Sequence, residues 1–146
     1  MADLSELYGT VRAKLVGDAT LIALLSSADA VYQETSADIR LTAPCILMRL
    51  VSSRPQYEID GTGQFRPAWR LRILAQSADR CRAIEARLGA LLEVPLTVPA
   101  GLVGSTLRIV EMRQVDSQEG AGWITSDQGT VATIETIWNC CVRPVS

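Results

Sequence analysis

The sequence has 146 residues, 48% hydrophobic and 21% charged, which is enough apolar material for one core and points to one domain spanning residues 1–146. Fourteen basic against sixteen acidic residues give a formal net charge of -2, without the cationic footprint expected of a nucleic-acid binder. No apolar run reaches the ~18 residues of a membrane-spanning helix, and the opening "MADLSELYGTVRAK" reads as an amphipathic helix rather than a secretory signal. The chain is therefore expected in the cytoplasm or in an assembly made there, with no membrane partner.

Leu4, Leu7, Tyr8, Val11 and Leu15 recur at offsets of three and four, which predicts a helix ended by Gly17. Asp18 is placed to cap a short second helix carrying Leu21, Ile22, Leu24 and Leu25. A brief extended piece, "AVYQE", follows. The first clear strand is "PCILMRLV", Pro44 to Val51, with a proline at its start, where the missing N–H is tolerated. Ile46, Met48 and Leu50 share one face of it; Cys45, Leu47, Arg49 and Val51 share the other. Neither face is plainly polar, so both are expected to be covered, one of them by another subunit.

The next strand, "PAWRLRILAQ", alternates Trp69, Leu71, Ile73 and Ala75 with Arg70, Arg72 and Leu74, the pattern of a half-buried antiparallel strand. Between these two strands Ser52 to Arg66 is longer than a hairpin needs and contains Pro55 and the turn signal "DGTG", so a projecting arm is expected. "SADRCRAIEARLGALLEV" predicts a helix capped by Ser77, with Cys81, Ile84, Leu88, Leu91 and Leu92 inward. Pro95 and Pro99 prevent its continuation. Two more strands are predicted, near "STLRIVEMRQV" and over "GTVATIETIWNCCVRP". Asp116 to Gly129 between them reads as a second long polar arm holding Trp123, which either anchors a partner or folds back on its own sheet. The expected class is α+β: an antiparallel sheet of about four strands with helices packed on one face and long inter-strand arms.

A search for chemistry finds little. With no histidine, a Ser-His-Asp triad is excluded, and no phosphate-binding glycine loop occurs. Cys45, Cys81, Cys140 and Cys141 form no C-x-x-C pair and read as buried, reduced thiols rather than a metal site. The loop acids Glu58, Asp60 and Asp127 stand among turn residues and read as solvated. Arg70 and Arg72, opposite Glu111 or Glu135, read as ladder pairs. No enzyme activity, cofactor or metal is expected. Lys14 is the only lysine beside thirteen arginines, which reflects either base composition or a use for bidentate ion pairs at interfaces.

Taken together, "DATLIALL", "VYQ", "APCILMRLVSSRPQYEIDGTGQFRPAWRLRILAQSADRCRAIEARLGALL", "LRIVEMRQVDSQEG" and "VATIETIWNCCV" resemble the tail-terminator (tail-completion) family of long-tailed bacteriophages, prophages and gene transfer agents. Pro44 to Met48, Tyr57 to Gly61, Arg70 to Ala75 and Ser77 to Leu92 occupy the places of the family's proline-led strand, its Y-x-x-D-G arm, its arginine-bearing strand and the following helix. Cys45 and Ile46 stand where an aromatic is common. The resemblance covers about Asp18 to Val142.

It implies a structural virion protein, assembled in the host cytoplasm, that forms a hexameric ring on the head-proximal end of the tail tube. The ring stops tube polymerisation and presents a head–tail joining surface. The implied partners are further copies of the chain, the tail tube protein and the head–tail connector or neck protein. DNA passes the lumen without being read as sequence. A mildly acidic chain suits that passage, since a cationic lumen would retain phosphates. The candidate assembly residues are Arg54, Tyr57, Asp60 and Gln64 in the first arm, Arg49 and Arg70 on the strands beside it, and Glu119, Trp123 and Asp127 in the second. The rival readings are a neck adaptor on the portal side and a small-molecule-binding or enzymatic α+β domain.

Overall fold

The computed structural model describes residues 5–33, 43–52, 66–93, 102–103, 107–125 and 129–144. Helix α1, Ser5–Val16, buries Leu7, Val11 and Leu15, one residue per turn. Gly17 closes it where a Cβ would meet the Ala13 carbonyl at 3.0 Å. Asp18 then caps the single-turn helix α2, Ala19–Ile22, accepting from the Leu21 N–H at 2.8 Å. Helix α3, Ala78–Leu92, is capped by the Ser77 hydroxyl and carries Asp79 in its first turn, where a carboxylate complements the N-terminal partial charge. Its Cys81, Ile84, Leu88 and Leu92 are buried at helical spacing.

The strands are β1 Val31–Gln33, β2 Cys45–Ser52, β3 Ala68–Ala75, β4 Leu102–Val103, β5 Leu107–Thr125 and β6 Gly129–Pro144. They form one mixed sheet in the order β1-β2-β3-β6-β5-β4, with β1 and β2 parallel and every other pair antiparallel. The α+β class matches the expectation; the sheet of about four antiparallel strands does not. The two additional strands lie at the sheet edges and have three and two residues, too short to carry a period-two pattern.

A larger correction concerns Asp116 to Gly129. It is no loose arm: β5 runs to Thr125, β6 begins at Gly129, and the pairing continues to Thr125 opposite Gly129. This segment is polar on both sides and rich in glycine, so its strand state is imposed by its neighbours rather than by its own preference. One neighbour is β6. The other is α3: Glu85 accepts from Gln114 Nε2 at 2.8 Å and from the Ser117 hydroxyl, and Arg82 holds Glu119. Bulges at Ile109/Glu111, Gln114/Asp116 and Ala121/Trp123 bend β5 along its length.

Cross-strand register fixes two faces. On the helix-covered face, Ile46, Ile73 and Ile134 stand in one row, and Leu50, Trp69 and Trp138 in another. All but Leu50 are essentially inaccessible. Each fully buried side chain of this size contributes about 1.5–3 kcal/mol. Thr136 lies among them, wholly buried: its hydroxyl donates to the Leu71 carbonyl and accepts from Trp138 Nε1, both at 2.8 Å. Salt bridges tie the helix layer together. Arg87 grips Asp18 through Nε at 2.8 Å and Nη2 at 2.6 Å, joining α3 to α2. Glu6 of α1 accepts from the Leu107 N–H at the start of β5.

Candidate assembly surface

The opposite face of the sheet has a different composition. Arg49 of β2 stands directly across from Arg70 of β3, which faces Ile137 of β6 and, beyond it, Asp116 of β5. The next row reads Leu47, Arg72, Glu135 and Gln118. Further along, Arg113 is opposite Asn139, Glu111 opposite Cys141 and Arg108 opposite Arg143. Arg66, just before β3, lines the same hollow as Arg113 and Asn139.

Among the described residues, seven arginines against Glu111, Asp116 and Glu135 leave this face at +4, while the other described charges, five basic against seven acidic, sum to -2. The mild overall acidity expected to suit passing DNA is thus a sum over opposed regions. It does not describe an evenly acidic surface.

Several of these charges are answered locally. Arg72 Nη2 meets Glu135 at 3.1 Å, the ladder pair anticipated from sequence. Arg113 Nη2 meets Glu111, two residues earlier on the same strand, at 3.2 Å. On the ladder Arg70 stands across from Arg49 and Ile137, and not from Glu111 or Glu135 as the sequence suggested. Like charges directly opposite on a ladder oppose pairing, and Arg49–Arg70 and Arg108–Arg143 are two such juxtapositions on one face. Between them lies a hollow of ≈ 350 Å³, lined by Arg66, Ala68, Glu111, Arg113, Asn139, Cys140 and Cys141. Its polar lining offers guanidinium and amide donors with one carboxylate.

The four cysteines are all buried and free. Cys140 and Cys141 point to opposite faces, across from Met112 and Glu111. Burial pushes the Cys45 and Cys140 thiols up to about 12, so both are protonated at neutral pH and poor nucleophiles. Burial also raises Cys141, whose shift Arg66 and Arg143 partly offset. No group of His, Cys, Asp and Glu among the described residues is placed to hold a metal ion.

The predicted assembly residues scatter. Arg54, Tyr57, Asp60, Gln64 and Asp127 lie outside the described residues. Arg49 and Arg70 meet on the arginine-bearing face. Glu119 is on the other side of the sheet, held by Arg82 of α3 at 2.8 and 3.1 Å, so it fastens β5 to a helix within the chain. Trp123 stands in β5 opposite Val131, just past a bulge. Of the strand expected to have one face covered by another subunit, Cys45 and Leu47 on one face and Ile46 and Met48 on the other are already buried in the single chain. Arg66, Arg113 and Asn139 were missed, because register across β3, β6 and β5 brings them together. The alternation of Arg108, Glu111 and Arg113 with apolar residues was the one available signal.

No protein-family model and no curated protein sequence matches the chain. Among solved structures, the fold is similar to a chain from a structure described as "Virion of native gene transfer agent (GTA) particle". The TM-score is 0.71 at 17% identity, over 97% of this chain and 98% of that one. Similarity at this level of identity establishes a shared fold across the whole length.

Proposed function

We propose that this chain is a structural virion protein that caps the head-proximal end of a tail tube as a ring, ends tube polymerisation and provides the head–tail joining surface. The observation that carries the reading is the full-length fold similarity to a chain of a gene transfer agent virion, which agrees with the family resemblance of the sequence. A heterologous ring needs two unlike patches on each subunit, and the two sides of this sheet differ sharply in charge. The segment Arg54 to Arg66 serves in this reading as an arm reaching a neighbouring copy or the tube, with Tyr57 as its anchor. Deleting Gln56 to Gln64 is expected to leave a folded chain that assembles poorly.

The test is to delete the gene in a particle-producing strain and examine the particles by electron microscopy. A tube-capping role predicts tails of uncontrolled length and heads without tails. Tails of normal length that fail to join heads would move the role to the portal side, as a neck adaptor. Unchanged particles would refute both.

A further inference from the structure

We propose that the hollow between the start of β3, β6 and β5 is a recognition site for an acidic side chain carried on an extended segment of a partner protein, with Arg66, Arg113 and Asn139 as its donors. The site is complete within one chain, so the inference goes beyond the ring reading and does not depend on it.

The lining divides into donors, a wall and a floor. Arg66 and Asn139 are exposed, and among the described residues neither side chain takes part in a hydrogen bond or ion pair. Arg113, about 65% exposed, commits Nη2 to Glu111 at 3.2 Å, which steadies its guanidinium at the wall. Below them the floor is Ala68 and two buried, protonated thiols, Cys140 and Cys141. Arg66 partly offsets the rise that burial imposes on Cys141, so its charge stands over that floor. Guanidinium and amide donors above a floor of low polarity suit a carboxylate. The planar fork can bind both of its oxygens, and the floor limits competition from water.

Charge narrows the ligand further. Two arginines against Glu111 leave the lining at +1. One carboxylate neutralises it, whereas a phosphate dianion would leave negative charge beside Glu111. Asp116 and Glu135, on the same face, oppose a continuous phosphodiester track. A free small carboxylate would answer the hollow but not its surroundings. Val103 and Val115, the exposed large apolar side chains among the described residues, stand on either side of it along β5: Val103 opposite Arg108, Val115 just past Arg113. From Arg108 to Val115 the strand runs roughly 20 Å at ~3.3 Å per residue, the reach of about seven extended residues. A segment of that length, with a central acidic residue and apolar ends, fits the hollow of ≈ 350 Å³ and both valines.

The test is fluorescence anisotropy with the full chain and a dye-labelled peptide, acetyl-Leu-Ser-Ser-Glu-Ser-Ser-Leu-amide, at about 0.1 M salt. The site predicts saturable binding. It should weaken roughly ten-fold or more when Gln replaces the peptide's Glu, and equally when Arg66→Gln and Arg113→Gln are combined in the chain. Arg108→Gln removes an exposed charge of the same face outside the hollow and should leave the affinity within about two-fold. All variants should keep the wild-type melting curve, and the peptide substitution reads the same contact without altering the chain.

Equal binding of the Gln peptide, or a loss with Arg108→Gln as large as that of the double variant, would mean diffuse charge and overturn the proposal. Absence of binding up to about 1 mM chain would also overturn it. Acetate or inorganic phosphate that displaces the peptide at equal concentration would assign the hollow to a free anion. Displacement by a duplex of about 30 base pairs at about 0.15 M salt would assign it to nucleic acid. Either result refutes a protein partner here.

Discussion

On the helix side of the sheet, the row Ile46, Ile73, Ile134 is closed to solvent in all three strands; one position along, on the other side, the row reads Leu47, Arg72, Glu135. The same three strands thus carry two surfaces with opposite assignments. The helix side spends its side chains on folding: apolar rows, one fully bonded threonine, and salt bridges that fasten helices to strands. The arginine side keeps charged side chains among its apolar ones, with Arg49 opposite Arg70 and Arg108 opposite Arg143. The comparison teaches that one set of strands can close a core on one face and carry ion-paired charge on the other.

The largest effect should come from the helix side. Trp138→Ala, in the Leu50–Trp69–Trp138 row and wholly buried, is expected to cost about 3–5 kcal/mol of stability, read by urea unfolding. Thr136→Val should follow. It keeps the shape but leaves the buried Trp138 N–H without its acceptor and the Leu71 carbonyl without its donor, a cost of about 1–3 kcal/mol. A variant as stable as wild type would mean that the apolar rows carry the core by themselves.

A smaller effect, confined to acid, belongs to Asp18. Its bond to Arg87 and the Leu21 N–H hold its pKa down at about 2, from an ordinary value of 3.8. A carboxylate held down in the folded state stabilises it fully above 3.8, and that contribution is lost as pH falls toward 2. Asp18→Asn should therefore flatten the acid limb of a stability-versus-pH curve in that window and destabilise the chain at neutral pH. An unchanged acid limb would contradict the role given to the Arg87 bridge. The smallest change in stability is expected on the other side: Arg113→Glu, about 65% exposed at its side chain, should shift unfolding by no more than ~0.5 kcal/mol, read by urea unfolding.

Much of the helix side was legible in the sequence, since period carries it. The i, i+3, i+7 spacing of Cys81, Ile84 and Leu88 and the capping Ser77 located α3, and the alternation from Gly129 to Pro144 located β6. What the sequence hid depends on pairing. Ser117 and Glu119 read as loop residues until α3 is laid across them. Arg70 reads as a partner for a glutamate until register sets it against Arg49. A net charge of -2 likewise conceals a face whose described residues sum to +4, because a sum has no geometry.

The most direct test of the account is the mass of the purified protein by light scattering, alone and then with its tail tube protein. The account predicts a six-fold subunit mass in solution, or a mass jump that occurs only when tube is present. A monomer indifferent to the tube would contradict it.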